Sequence, residues 1–287
     1  MSQETEIMPI HTTEIARSDG LDIFCRRFGE VGETPVLIVH GLSYFSYDWI
    51  EVANALAVDR EVVAIDMRGF GESGWSPTHD YSTPANAGDF INVLDYFGWE
   101  KAVLMGHSMG GRHCLYCAAE YPDRTAALIL VDSAPSASPK GTNRVAQTIG
   151  NMPEVFSTIE EAMVYDPHAP TGASARVRFE NFLKPVEGGF SVKRDPVFTA
   201  NYRKILDTGQ RPKPPFDLWQ IFSKVKRPVL VVRGTRSDMF TPDIADQVRA
   251  TVPMAKLVEI DSGHDVAGQN PRALIQTIHT FLSTVSD

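Results

Sequence analysis

Ser108 lies in the run Lys101-Ala102-Val103-Leu104-Met105-Gly106-His107-Ser108-Met109-Gly110, where four apolar residues lead straight into Gly-x-Ser-x-Gly. A helix-like segment starts near Gly111, so the serine sits on a strand, sharp turn, helix sequence. Glycines flank it because a side chain in so tight a turn collides with neighbouring backbone. Such a turn holds a hydroxyl clear of the sheet as a nucleophile.

A serine hydroxyl needs an adjacent base, usually a histidine that a carboxylate orients. At this kind of turn the chain order is serine, then acid, then histidine. Of the eight histidines, His11, His40 and His79 precede Ser108 and fail the order. His107 lies inside the turn, His113 on the helix behind it, His168 in a later irregular region and His279 inside the last helix. His264, in Asp261-Ser262-Gly263-His264-Asp265, directly follows the final strand and is the expected base. Two acids follow strand ends in the required order. Asp238, in Gly234-Thr235-Arg236-Ser237-Asp238, is the favoured one, with Asp132, which ends the strand after the serine, as the substitute. The oxyanion created by serine attack needs preorganised N–H donors. Met109, next to the nucleophile, supplies one, and Leu42 in the His40-Gly41-Leu42-Ser43 loop supplies the second, Gly41 letting the backbone come close. His40 reads as a structural residue bonded to nearby backbone.

These residues need a scaffold. Ile10 to Arg17 and Leu21 to Phe28 read as a hairpin. Pro35 to Val39, Glu61 to Asp66, Ala102 to Met105, Ala126 to Val131, Pro228 to Arg233 and Ala255 to Ile260 are almost wholly apolar runs, as expected of strands buried on both faces. Helical stretches alternate with them: Tyr47 to Ala57, a helix to Phe97 with Thr83 as N-cap, the helix after Ser108, Asp243 to Thr251, and Pro271 to Leu282. The fold class is α/β, a mostly parallel sheet of about eight strands flanked by helices, with functional residues at the strands' carboxyl ends. From Ser133 to Gln220 the rhythm stops. Pro- and Gly-rich sequence with helical fragments at Thr158 to Tyr165 and Val197 to Leu206 reads as a helical cap inserted after the sixth strand. The expected organisation is a core of residues 1–132 and 221–287, with residues 133–220 as the cap.

His40-Gly41, Asp66-x-Arg68-Gly69-x-Gly71-x-Ser73, Gly106-x-Ser108-x-Gly110, the Asp238 loop and Gly263-His264 together resemble the α/β-hydrolase superfamily, in its order and over nearly the whole chain outside the cap. Relatives often carry the acid three residues after the strand-end glycine; Asp238 is four after Gly234, which keeps Asp132 in play. The resemblance implies a serine hydrolase that cleaves an ester, amide or thioester through an acyl-enzyme on Ser108, without cofactor or metal. Serine rather than aspartate at the elbow departs from haloalkane dehalogenases and epoxide hydrolases, and the single Gly41 departs from hormone-sensitive-lipase-type esterases. Three alternatives keep the same residues: carbon–carbon bond hydrolysis of ring-cleavage products, cofactor-free perhydrolysis, and a hydrolase-fold receptor with little turnover.

The chain has 287 residues and a net charge of −9, with no basic stripe, which excludes nucleic acid as a principal partner. No apolar leader or membrane-spanning run is visible, so a cytoplasmic protein acting on a small molecule is expected. The oligomeric state is open, a homodimer included. Gly69, Gly71 and Gly74 spell a dinucleotide-like pattern, but Trp75-Ser76-Pro77 follows where a helix would have to begin, so the loop reads as structural. Cys114 and Cys117 fall on one face of a helix and read as buried packing residues. The cap carries 11 Lys plus Arg against 9 Asp plus Glu, while the rest carries 16 against 27. A basic lid over an acidic body favours an anionic substrate, with Arg144, Arg176, Arg178 and Arg194 as candidate carboxylate partners. The segment Ala175 to Phe198 also resembles the caps of bacterial hydrolases of small acids, among them an amide hydrolase of vitamin B6 breakdown.

Overall fold

The computed structural model describes residues 11–165 and 173–285. An eight-stranded sheet is built from β1 (His11–Ser18), β2 (Leu21–Phe28), β3 (Glu33–Val39), β4 (Arg60–Ile65), β5 (Ala102–His107), β6 (Thr125–Val131), β9 (Val229–Gly234) and β10 (Lys256–Ile260). A short hairpin, β7 (Leu183–Val186) with β8 (Gly189–Val192), lies between β6 and β9 in sequence. The sheet order is β1-β2-β4-β3-β5-β6-β9-β10. All pairings from β4 to β10 are parallel, and the β1-β2 hairpin joins antiparallel through β2 and β4. Asp19 and Gly20 turn that hairpin with positive φ values of 51° and 78°, as a two-residue turn requires.

Each central strand sends alternate side chains to opposite faces. Val36 and Ile38 of β3, Val103 and Met105 of β5 and Leu230 and Val232 of β9 pack on one side, with Trp49, Val52 and Leu56 around α1 (Ile50–Leu56) and with Leu274, Ile278 and Phe281 of the last helix. Leu37, Val39, Leu104, Leu128 and Val231 pack on the other, against Phe90 and Leu94 of α2 (Thr83–Tyr96) and Leu115 of α3 (Ser108–Glu120). Burial on both faces explains why these strands show apolar runs rather than alternation. The helix that begins at Thr83 is capped one residue earlier than its sequence implies: Ser82 Oγ accepts the Ala85 N–H, which leaves Thr83 free to bond His113. Among the described residues no helix is long and apolar enough to cross a membrane.

Between β6 and β9 the described elements are α4 (Pro139–Gly150), α5 (Ile159–Tyr165), α6 (Ala173–Phe182), the β7-β8 hairpin, α7 (Pro196–Thr208) and α8 (Leu218–Ser223). The region is not wholly helical. Glu187-Gly188-Gly189 turns the hairpin with φ of 85° at Gly188, and Phe156 pairs with Phe190 across a backbone bridge. His168 lies outside the described residues. After β9 come α9 (Pro242–Thr251), α10 (Val266–Gln269) and α11 (Pro271–Leu282).

The glycine-rich loop after β4 is a structural knot. Asp66 accepts the Ser46 and Glu72 N–H groups at 2.7 and 2.9 Å, and Arg68 makes a buried bidentate pair with Asp89 at 2.6 Å on both arms. Gly69 O and Gly71 N bond Asp195 and Lys193, which ties the region after β6 to the core. Cys25, Cys114 and Cys117 are all buried free thiols, and burial pushes Cys25 and Cys117 up to about 12.

Three buried histidines set a pH dependence. Burial lowers His40, drives His107 well below its ordinary 6.5, and brings His113 from 6.5 to about 3. Between those limits the unfolded chain binds a proton that the folded chain refuses, so stability falls as pH drops below 6.5. His113, brought to about 3, contributes to that fall from pH 6.5 down to about 3. Thermal melts should show a plateau above about pH 7 and a falling Tm toward pH 5, with a shallower fall in His113→Gln. A Tm that rises on acidification contradicts this.

Candidate active site

The parallel strands deliver their carboxyl ends to one edge, where β5, β6 and β10 release Ser108, Asp132 and the His264 loop. Ser108 has φ of 53°, a left-handed conformation that costs a non-glycine residue about 1 kcal/mol or more. Gly110 makes that turn feasible, since a Cβ there would stand 2.3 Å from the His40 carbonyl oxygen. Ser133 Oγ donates to the Ser108 carbonyl at 2.7 Å and braces the turn from β6's end.

His264 Nε2 lies 3.0 Å from Ser108 Oγ, and His264 Nδ1 lies 2.6 Å from Asp132 Oδ2. The Asp132 side chain is wholly buried and also accepts the Gly234 N–H at 2.8 Å on Oδ1 and the Ser237 hydroxyl on Oδ2. A carboxylate at Nδ1 fixes the imidazole tautomer with Nε2 as acceptor, turned to the serine O–H.

Asp238 does not face His264. Its carboxylate takes a bidentate ion pair from Arg144 of α4, at 2.6 and 2.9 Å. The one-residue offset in the loop accounts for the change: Ser237 stands three after Gly234, and its hydroxyl reaches Asp132. Asp238, one further on, pairs with Arg144 of α4 at the cavity wall. The substitute acid of the sequence reading is the one that meets the histidine.

His40 behaves as read from the sequence. Its Nε2 accepts the Met67 N–H at 2.9 Å, so Nδ1 carries the proton and donates to Gly41 O at 2.7 Å. Gly41 packs against the elbow so closely that a Cβ would come within 2.7 Å of His107 Nδ1. Leu42, Met109, Ser108 and His264 line the same cavity, of about 600 Å³. The Met109 N–H belongs to the first turn of α3, whose donors have no partner within the helix. His107 has a role that its position alone did not give: Nε2–H donates to the His264 carbonyl at 2.9 Å, holding the base's loop against the elbow.

The four arginines expected to bind carboxylate separate. Arg144 lines the cavity but is paired with Asp238. Arg176 is exposed and tied to Glu160 and Glu180. Arg178 is buried, makes a bidentate pair with Asp48, donates to Ser43 O at 3.0 Å and lies over the Phe182 ring at 5.1 Å. It clamps α6 to the loop after β3 rather than facing a ligand. Arg194 is buried outside the cavity wall, with Nη2 on Thr199 Oγ1 at 3.1 Å. The cavity's own arginine on α3, Arg112, was not singled out from sequence. Its signal was the spacing: Arg112 is four residues after Ser108, on the same helical face.

Known proteins agree with this architecture. A family model described as alpha/beta hydrolase fold matches residues 34–271. The 3-hydroxybutyrate-oligomer hydrolase of Cupriavidus necator is 29% identical over 256 residues, covering 83% of this chain and 85% of that protein. The 2-(acetamidomethylene)succinate hydrolase of Mesorhizobium japonicum is 25% identical over 259 residues, covering 88% and 90%. A crystal structure of E-2-(acetamidomethylene)succinate hydrolase superposes with a TM-score of 0.83 at 22% identity, covering 96% of this chain and all of that one. The chain belongs to the α/β-hydrolase fold family. It is a hydrolase of that fold.

Proposed function

We propose that the protein is a serine hydrolase that cleaves an ester or related acyl bond of a small molecule through an acyl-enzyme on Ser108. The observation that carries this reading is the unbroken hydrogen-bonded series Ser108 Oγ, His264, Asp132 at the wall of a cavity. His264 Nε2 takes the Ser108 proton as Oγ attacks the carbonyl, and buried Asp132 stabilises the imidazolium. The tetrahedral oxyanion is met by the Leu42 and Met109 N–H groups. His264 then protonates the leaving group, and water, deprotonated by the same imidazole, frees the acyl group.

The cavity volume suits a small-molecule substrate. Relatives named as hydrolases of a hydroxybutyrate oligomer and of a substituted succinate support acyl-type bonds as the target. Hydrolysis of p-nitrophenyl acetate and butyrate by the protein and by Ser108→Ala is the test. The variant should lose kcat by about 10³-fold or more. Equal rates would refute the serine mechanism.

A further inference from the structure

The charges around the cavity are unevenly compensated. On one side Arg144 is paired with Asp238 and Arg236 with Asp261. On the other, Arg112 of α3, Arg211 and Tyr202 of α7 line the wall, and no carboxylate among the described residues pairs with either arginine. Arg112 is held only by its Nε, which donates to Ala134 O at 3.3 Å. Arg211 spends its Nη2 on Thr142 O and Asn143 Oδ1. Arg194, 2% exposed, leaves Nε and Nη1 without a partner. Arg112, Arg194 and Arg211 all act electrostatically on the Tyr202 phenol, opposing the rise that its burial causes. Burial lowers Arg112 and brings Arg194 down to about 10, as expected of cations without a counter-charge.

Buried cations persist where something compensates them. Here Arg112 and Arg211 share one cavity wall with Tyr202, and that cavity also holds Ser108. An anion entering there gains charge-assisted hydrogen bonds from a planar guanidinium and a phenol O–H, in a site already short of negative charge. Neither acidic side chain of the cavity pairs with Arg112 or Arg211 among the described residues: Asp238 takes Arg144, and Asp265 accepts the Gly268 N–H beside His264.

We propose that Arg112, with Tyr202 and Arg211, forms a carboxylate-binding site beside Ser108, so that the preferred substrates are esters or amides carrying a free carboxylate. This rests on the serine-hydrolase reading above for the bond cleaved, but not for the binding itself. Arg112 grips the anion, Tyr202 donates its hydroxyl, and buried Arg194 deepens the positive potential behind it.

The test uses matched esters: monophenyl adipate against phenyl hexanoate places the carboxylate on the acyl side, and 4-acetoxybenzoate against its methyl ester places it on the leaving group. The wild-type protein should favour the anionic member of one pair in kcat/KM, chiefly through KM. Arg112→Met should cut that preference by on the order of tenfold, with Arg112→Lys retaining part of it and Tyr202→Phe also lowering it. Thermal melts of each variant identify any that fails to fold, and Tyr202→Phe then carries the comparison. No anionic preference in either pair, or equal losses for anionic and neutral esters in the folded variants, would overturn the proposal. Calorimetric binding of monophenyl adipate to Ser108→Ala separates the two readings. Binding weakened by adding Arg112→Met supports the carboxylate site even if Ser108 proves dispensable, whereas binding indifferent to Arg112 removes it even if Ser108 is essential.

Discussion

Asp132→Asn should lower kcat for ester hydrolysis by about 10⁴-fold, while Asp238→Asn should lower it by less than about tenfold. Asparagine fills the space of Asp132 and keeps an oxygen for the Gly234 N–H, so the fold is retained. It cannot accept from both the Ser237 hydroxyl and His264 Nδ1–H at the site that Oδ2 now occupies. An amide N–H facing Nδ1 favours the tautomer that carries the proton on Nε2, which abolishes proton abstraction from Ser108. At Asp238 the change removes charge from the Arg144 pair at the cavity wall and leaves the His264 contacts intact. Steady-state kinetics on one neutral ester reads both variants. A reversed order of effects would restore Asp238 as the acid.

Arg178→Ala should destabilise the protein by about 3 kcal/mol or more, because it strands the Asp48 carboxylate in a largely buried site. The Asp48 side chain is 11% exposed and otherwise accepts the Phe45 N–H. Arg178 also covers the Phe179 and Phe182 rings of its own helix and the Phe45 ring of the loop it clamps. At this chain length such a loss lowers Tm by roughly 5 °C or more. The loop running from Leu42 to Asp48 supplies the proposed oxyanion donor, so kcat should fall as well. Arg178→Lys, which keeps the charge but not the two-armed grip, should recover part of the stability and less of the geometry. A variant as stable as the wild type would show that the clamp is ornamental. Denaturant or thermal unfolding measures it.

The fold was legible because the central strands are buried on both faces, and that burial writes continuous apolar runs into the chain. Ser108 and His264 were legible for a related reason: both stand just past the carboxyl end of a strand, Ser108 directly after β5 and His264 four residues after β10 ends at Ile260. The acid was harder. Asp132 and Asp238 both follow strands, and what separates them is which way a short loop turns one side chain, decided by Ser237 bonding Asp132 and Arg144 capturing Asp238. The extra residue between Gly234 and Asp238 is the one sign in the spacing, and it does not show which partner each side chain takes. Of the four candidate arginines only Arg144 lines the cavity, since charge composition counts cations without seeing their partners. Arg178 and Arg176 are paired with Asp48 and with Glu160 and Glu180, while Arg112, outside residues 133–220, lines the cavity with no carboxylate paired to it among the described residues. The β7-β8 hairpin escaped because its four-residue strands, partly exposed, carry no apolar run.

Covalent trapping at Ser108 tests the central claim most directly. The protein is treated with an alkyl fluorophosphonate, and its intact mass and the peptide bearing the adduct are read by mass spectrometry, alongside residual esterase activity. The account predicts one adduct per chain, on Ser108, with activity lost in proportion to labelling and no adduct on Ser108→Ala. Ester turnover that survives complete labelling of Ser108, or a Ser108→Ala variant that labels and hydrolyses as the wild type does, would contradict it.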